Sequence, residues 1–162
     1  MLGTRMIIIA LLLGLAGCAR QAPAPPDIYV MRHLHTPAGV RDPDLTAEGQ
    51  RQAVLLASWF RRGAPAMIYV SSAKRAQQTA APLAAALRIT PIIYDPADTP
   101  ALIAAVARET RTLLIVGHSN TVPDIILALG GQPPAPLVHE DFGDIWTIDG
   151  RTRATVRSKI ER

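Results

Sequence analysis

The sequence predicts an α/β protein: a three-layer α/β/α sandwich with a mostly parallel central sheet and an antiparallel pair near the C-terminus. Apolar runs of four to six residues, rich in Ile, Val and Tyr, recur along the chain without alternating with polar residues, which is typical of strands buried on both faces. Amphipathic helical patterns separate these runs. The alternation of strand and helix favours a sheet that carries helices on both faces.

The apolar runs predict four strands in chain order. They are Ile28 to Met31, Ala66 to Val70, Ile89 to Tyr94 and Leu113 to Val116. Two further strand-like segments, Asp144 to Ile148 and Arg153 to Ile160, flank Asp149-Gly150, a dipeptide suited to a tight hairpin turn. These two segments are the expected antiparallel pair.

The first predicted helix follows Thr46, a suitable N-cap, and carries Glu48 in its first turn. A second helical pattern runs from Ala76 to Leu87. Pro82 lies within it, and a proline there predicts a kink or an early end, because it lacks a backbone N–H and its ring crowds the preceding turn.

Proline also indicates where two later helices begin. Thr99-Pro100 and Val122-Pro123 each place a proline at or near the first helical position, where its missing N–H costs nothing. Gly130-Gly131 is expected to end the fourth helix.

The first eighteen residues are typical of a secretory signal. A charged start is followed by eleven apolar or small residues, Met6 to Ala16, and then by Gly17 and Cys18. At about 1.5 Å per residue, eleven residues cannot cross a hydrocarbon core of about 30 Å, so we do not expect a permanent transmembrane helix.

The lone cysteine of the chain is Cys18, and it cannot form an internal disulfide. Leu15-Ala16-Gly17-Cys18 resembles the bacterial lipobox, which implies cleavage before Cys18 and acylation of its thiol. Ala19 after the cysteine implies sorting to the outer membrane, and Arg20 to Pro26 is a proline-rich tether. We therefore expect a signal peptide at 1–17, a lipidated cysteine and tether at 18–26, and a folded domain at 27–162, lipid-anchored on the periplasmic face.

Charge and composition exclude two other classes of protein. The 162 residues carry a net charge of +4, which falls to +3 when Arg5 leaves with the signal. The basic residues are scattered and only 4% of residues are aromatic, so nucleic-acid binding is not expected. The 49% apolar share excludes a mainly disordered chain.

Three polar clusters each follow directly on a predicted strand. They are Arg32 to Thr36, Ser71 to Arg75 and Gly117 to Asn120. In open α/β sheets, ligands bind beyond the carboxyl ends of the strands, so parallel strands would bring the three clusters into one pocket. Guanidinium groups match phosphate oxygens in a bidentate geometry, and the pocket therefore favours an anionic phosphoryl group.

These clusters also carry a family resemblance. The motifs, in order between Asp27 and about Gly131, are Arg32-His33 with Thr36, Leu45-Thr46 with Gly49 and Gln52-Ala53, Ser71-Ser72 through Arg75-Ala76 to Gln78-Thr79-Ala80, and Gly117-His118-Ser119. Together they resemble the histidine phosphatase (phosphoglycerate mutase-like) superfamily, in particular its compact members.

The resemblance implies a phosphatase that needs no metal or cofactor. Its nucleophile would be His33, which forms a phosphohistidine and so divides one displacement into two. Arg32, Arg75 and His118 would surround the phosphoryl oxygens, with His118 counted among the catalytic residues. A phosphoric ester or a phosphoramidate, on a small molecule or on an envelope glycan or lipid, is the expected partner.

Several positions depart from the family pattern. Leu34 stands where many relatives have glycine, which predicts a less permissive loop. His35 is an additional histidine beyond the family motif, and it is expected to face solvent, although it could reach substrate. A general acid would protonate the leaving oxygen, and Asp95 and Asp98 are the candidates because they follow a predicted strand.

Other acidic residues are not expected in the pocket. Glu109 is predicted to be solvated, late in a helix. The stretch His139-Glu140-Asp141 is interpreted as a solvated loop, and Asp124 and Asp144 have no assigned role.

Two alternatives stay open. A catalytically weak or inactive phosphate-binding lipoprotein would share the fold and the pocket. A metal site on His33, His35 and His118 is the other alternative, but neither an aspartate cluster nor a set of cysteines accompanies these histidines. The sequence leaves the substrate and the oligomeric state undetermined.

Overall fold

The structure is a computed structural model, and it describes residues 24–60 and 65–160. The secondary-structure elements are β1 (Ile28–Arg32), α1 (Ala47–Trp59), β2 (Met67–Ser71), α2 (Lys74–Leu87), β3 (Ile92–Tyr94), α3 (Thr99–Val106), β4 (Leu113–Gly117), α4 (Val122–Ala128), β5 (Asp144–Ile148) and β6 (Thr155–Lys159). The expected signal peptide, Cys18 and most of the tether lie outside the described residues. In the described ranges, no helix has both the length and the apolar character needed to span a bilayer.

The strands form one six-stranded sheet in the order β3-β2-β4-β1-β5-β6. The first four strands run parallel, β5 pairs antiparallel with β1, and β6 pairs antiparallel with β5. Arg32 at the end of β1 is paired with Gly117 at the end of β4, and Val70 of β2 is paired with Val116. The register therefore brings the carboxyl ends of β1, β2 and β4 to one edge, and the predicted α/β fold is confirmed.

Two apolar cores cover the two faces of the sheet. Met31 packs in the core that also holds Leu56 of α1 and Leu83 of α2. Its neighbour Val30 packs in the opposite core, with Leu102 of α3 and Ile125 of α4. Because successive strand residues point to opposite faces, a strand covered on both sides must be apolar throughout. This arrangement explains the unbroken apolar runs of the central strands.

Two strand predictions are wrong in detail. The third strand has only three residues, and Ile92 and Ile93 are 40% and 58% exposed, because β3 is at the edge of the sheet and pairs only with β2. The connection between β5 and β6 spans residues 149–154 and is not a tight turn. Inside it, the Asp149 carboxylate accepts hydrogen bonds from the backbone N–H groups of Arg151 and Thr152.

The helix starts are confirmed and one helix end is not. Thr46 caps α1, its Oγ1 accepting from the N–H of Gly49 at 3.1 Å. The second helix continues through Pro82 to Leu87, so the expectation of an early end is wrong. Glu109 lies beyond α3 and is only partly exposed, because it accepts a hydrogen bond from the Tyr69 hydroxyl at 3.0 Å; the expectation that it is solvated is also wrong.

Candidate active site

A polar cavity of about 360 Å³ lies at the carboxyl edge of the sheet. It brings together the ends of β1, β2 and β4 with the loop after β1 and the loop before β5. The described residues that line it include Arg32, His33, Thr36, Arg41, Asp42, Arg75, His118, Ser119, Asn120 and His139. Three arginines against one aspartate make this cavity positive, as expected for a site that holds an anion.

His33 is held as a neutral imidazole, and one of its ring nitrogens has no hydrogen-bond partner among the described residues. Its Nδ1 lies 2.8 Å from the backbone carbonyl of Leu34. A carbonyl only accepts, so Nδ1 carries the proton and Nε2 keeps its lone pair. Burial lowers the pKa of His33 to about 3, against the hydrogen bond to Leu34, and the nearby His118 and Arg32 lower it further. The ring is therefore unprotonated at neutral pH, as a nucleophile toward phosphorus must be.

His118 has the opposite tautomer. Arg75 Nη2 lies 3.1 Å from Nδ1 of His118, and a guanidinium can only donate, so Nδ1 accepts. The ring proton is then on Nε2, which donates to Ser71 Oγ at 2.7 Å. Burial lowers the pKa of His118 to about 4, with Arg75 and Arg32 acting in the same direction. The ring centroids of His33 and His118 are 5.3 Å apart, so the sheet does bring these two predicted site residues together.

Arg32 is positioned by the loop that precedes β5. Its Nη1 donates to the backbone carbonyls of Val138, His139 and Asp141 at 2.6, 3.1 and 3.3 Å. Its guanidinium carbon lies 4.2 Å from the centroid of the Phe142 ring. Burial lowers the pKa of Arg32, and Asp141 partly offsets this. Residues 139–141 are exposed or partly exposed, as expected, but the expectation that they lie outside the pocket is wrong, because His139 lines the cavity and the loop carbonyls accept from Arg32.

Arg75 pairs with a carboxylate that the sequence analysis did not include. Arg75 Nη1 lies 3.4 Å from Oδ1 of Asp42, and the same oxygen accepts from the backbone N–H of Lys74 at 3.0 Å. Asp42 has a positive φ of 43°, a conformation that aspartate tolerates better than most residues. It precedes both Arg75 and His118, outside the stretch in which a carboxylate was expected. In the sequence, its position just before the Leu45-Thr46 motif was the feature that could have indicated a role for Asp42.

The two candidate general acids do not line the cavity. Asp95 accepts from the backbone N–H of Ala97 at 2.9 Å, and Asp98 caps α3 by accepting from Ala101 at 3.0 Å. Both are exposed. They follow β3, which is separated from β1 by β2 and β4, so they lie too far along the sheet edge to reach the cavity beside His33. The structure thus contradicts their placement in the pocket.

The two residues after His33 have different surroundings from those expected. Leu34 is fully buried in the core, and its N–H donates to Thr79 Oγ1 at 2.9 Å. Its φ is not positive, so leucine fits this position without strain. His35 is half-buried, with its ring centroid 4.5 Å from that of Phe142. The expectation that His35 faces solvent is therefore wrong.

Asp124 and Asp144, which had no assigned role, do not line the described cavity. Asp124 is exposed on α4, and Asp144 is buried in β5, where it forms a bidentate pair with Arg157 at 2.8 and 3.0 Å. Across the described part of the chain, no cluster of three or more His, Cys, Asp or Glu side chains is arranged to hold a metal ion.

The cavity, lined by histidines and arginines, lies at the carboxyl edge of the mostly parallel sheet, where open α/β proteins bind their ligands. Residues 28–97 match the family model of the histidine phosphatase superfamily (branch 1). An uncharacterised protein of Mycobacterium leprae (strain TN) is 35% identical over 116 residues, which are 63% of this chain and 72% of that protein. The chain belongs to the histidine phosphatase superfamily.

Solved structures share the fold at low sequence identity. The protein histidine phosphatase SixA complexed with tungstate has a TM-score of 0.60 and 18% identity, covering 82% of this chain and 94% of that one. A mycobacterial glucosyl-3-phosphoglycerate phosphatase has a TM-score of 0.62 and 13% identity, covering 83% and 97%. A mutant phosphoserine phosphatase from Entamoeba histolytica has a TM-score of 0.62 and 17% identity, covering 83% and 95%.

Proposed function

We propose that this protein is a metal-independent phosphatase that acts through a phosphohistidine on His33. The observation that carries the proposal is the state of this residue. It is a buried, neutral imidazole whose Nδ1 is hydrogen-bonded and whose Nε2 has no hydrogen-bond partner among the described residues, in a cavity that Arg32 and Arg75 also line. The names of the structural neighbours, all phosphatases, support it.

In the first step, Nε2 of His33 attacks phosphorus and the bond to the leaving oxygen or nitrogen breaks. In the second, water attacks the phosphohistidine and gives a proton to a base, the P–N bond breaks and its electron pair returns to Nε2. Because Nδ1 donates to the Leu34 carbonyl, the ring is held in one orientation, and the positive charge that develops on it is stabilised.

The surrounding groups offset the charge of the transferred phosphoryl group. The guanidinium of Arg32 is held through Nη1 by the loop carbonyls, and Nη2 makes no hydrogen bond to the described residues, so it can donate to the anion. Arg75 and His118 form a hydrogen-bonded pair in the same cavity. Such preorganised donors act where water is excluded and need no reorganisation during the reaction.

We propose phosphomonoesters or phosphoramidates as substrates. The cavity is wide enough for a phosphoryl group together with part of the group that carries it. The neighbours' names include a protein histidine phosphatase and phosphatases of small esters, which supports testing both classes. Phosphorylated envelope glycans, lipids and nucleotides belong in the same panel, because the lipobox-like segment favours the cell envelope.

The envelope location is itself a proposal, supported by Leu15-Ala16-Gly17-Cys18 alone. We expect Cys18 to be acylated and the chain to be retained on the periplasmic face of the outer membrane. Metabolic labelling with a fatty-acid analogue, followed by membrane fractionation, tests this. Label on the wild type that disappears in Cys18→Ala is expected, and equal labelling of both would contradict it.

The phosphatase proposal is tested on the whole chain with a panel of phosphoesters and phosphoramidates. We expect hydrolysis of p-nitrophenyl phosphate that vanadate inhibits and EDTA does not, and that is lost in His33→Ala. Asp95→Asn is the matched control, because Asp95 is exposed and outside the cavity. Activity that survives in His33→Ala would contradict the proposal, and vanadate binding without turnover of any substrate would select the phosphate-binding alternative.

A further inference from the structure

The proposed reaction on alkyl esters needs a proton donor that the expected carboxylates do not supply. Departure of an alkoxide is slow unless an acid protonates it. Asp95 and Asp98 do not line the cavity. Asp42 does line it, but its Oδ1 already accepts from the guanidinium of Arg75 and from the N–H of Lys74, two contacts that hold it as an acceptor.

Apart from the arginines and Asp42, the titratable side chains that line the described cavity are histidines. The proton of His33 is hydrogen-bonded to the Leu34 carbonyl, and both ring nitrogens of His118 are in hydrogen bonds. His139 is exposed, and its ring forms no hydrogen bond with any residue in the described ranges. Among the histidines that line the described cavity, His139 is therefore the one whose ring can exchange a proton with a substrate.

The backbone of His139 is fixed relative to the phosphoryl site. Its carbonyl accepts from Nη1 of Arg32, the same guanidinium that is proposed to bind the anion. The turn is closed locally by Asp141, whose Oδ2 accepts from the N–H of Val138 at 2.7 Å. The His139 ring packs edge-on against Phe142, with centroids 5.4 Å apart. The phosphate-binding arginine and the His139 ring are therefore held by one short segment.

We propose that His139 is the general acid and then the general base of this site, a role that rests on the proposed phosphatase function. As Nε2 of His33 bonds to phosphorus and the P–O bond to the leaving group breaks, the electron pair goes to the leaving oxygen and the His139 imidazolium gives it a proton, releasing an alcohol. The neutral His139 then takes a proton from the attacking water as the P–N bond breaks. Inorganic phosphate is released, and both histidines return to their starting states.

The test is a comparison of leaving groups in the full-length protein with His139→Gln. p-Nitrophenolate leaves without help, so its hydrolysis should fall less than about threefold, whereas hydrolysis of an alkyl phosphate such as glycerol phosphate should fall about 100-fold or more in kcat/KM. His139→Asn should behave in the same way. Because Arg32 contacts only the backbone of this residue, neither substitution removes the arginine's hydrogen bonds.

The outcomes separate this inference from the proposed function. Equal losses on both substrates would show a structural role for His139 and overturn the inference, as would an unchanged rate on the alkyl ester. If Asp42→Asn shows the leaving-group dependence and His139→Gln does not, Asp42 is the acid. Failure of the phosphatase proposal looks different, since the wild type would then hydrolyse neither substrate or His33→Ala would hydrolyse both.

Discussion

At the scale of single residues, the site depends on two histidines in opposite tautomers. The Leu34 carbonyl fixes the proton of His33 on Nδ1, and the Arg75 guanidinium fixes that of His118 on Nε2. Burial and the neighbouring arginines keep both rings neutral. Attack on phosphorus would require the lone pair of His33. His118 already donates through Nε2, and it would need a second proton, on Nδ1, to become an imidazolium beside an anion.

We predict that anion binding drives a proton onto His118. A tetrahedral dianion in the cavity stabilises the imidazolium and raises the pKa of His118 from about 4 toward neutrality. Calorimetry of sulfate binding near neutral pH, in buffers of different ionisation enthalpy, should show uptake of a fraction of a proton. Sulfate is the right probe because it does not titrate in this range.

Because His139 lines the same cavity, the contribution of His118 is measured by comparing the wild type with a His118 variant. His118→Gln should bind sulfate with measurably smaller proton uptake than the wild type. Uptake that is zero in the wild type, or equal in the two proteins, would contradict the prediction.

At the scale of elements, the start of α1 rests directly on the loop that carries His33. A Cβ on Gly49 would lie 2.5 Å from the backbone carbonyl oxygen of His35 and 3.1 Å from the Cβ of Leu45. The same His35 carbonyl accepts from the N–H of Thr46, the N-cap residue. The helix and the loop after β1 are therefore in backbone contact, and a glycine is what permits it.

We predict that Gly49→Ala lowers the free energy of unfolding by about 1 to 3 kcal/mol, which is the typical cost of adding a methyl group at a position that is already closely packed. The added methyl group must push α1 from the loop, so kcat/KM should fall as well. Urea unfolding checks the first effect and p-nitrophenyl phosphate hydrolysis the second. Gln50→Ala is the control: the side chain is exposed on the same helix, and a change within about 0.5 kcal/mol is expected.

The elements that the sequence predicted well are those whose signal is local. Thr46 as an N-cap and the proline at the start of α4 depend on neighbours in the chain, and both are confirmed. The third strand was predicted too long because Ile92 and Ile93 are apolar, and hydrophobicity alone does not distinguish an edge strand from a central one. Pro82 is tolerated inside α2, which local propensity also did not predict.

At the scale of the whole molecule, the predictable part of the site is the part set by the parallel sheet. Strand ends at one edge brought Arg32, His33, Arg75 and His118 together as expected. The contribution of the loop before β5, which holds His139, was not predictable. Arg32 binds the backbone carbonyls of this loop, which are more than 100 residues away in the chain, and every residue type has a carbonyl.

The same neutral histidines should make the stability of the whole molecule depend on pH. The unfolded chain accepts a proton on each histidine at about pH 6.5, whereas folded His33 and His118 have pKa values of about 3 and about 4. Their contribution to stability is therefore fully present above about pH 6.5 and is lost as the pH falls toward the folded values, by up to about 1.4 kcal/mol per pH unit for each.

We predict that the urea midpoint falls steadily between about pH 7 and about pH 5, before the carboxylates titrate. The double variant His33→Gln with His118→Gln should show a smaller slope, and part of the slope should remain because burial also lowers the pKa of His35. A wild-type midpoint that stays constant over this range, or a double variant with an unchanged slope, would mean that the two rings accept protons in the folded state. His33 would then not be a neutral nucleophile, and the proposed function would lose its main support.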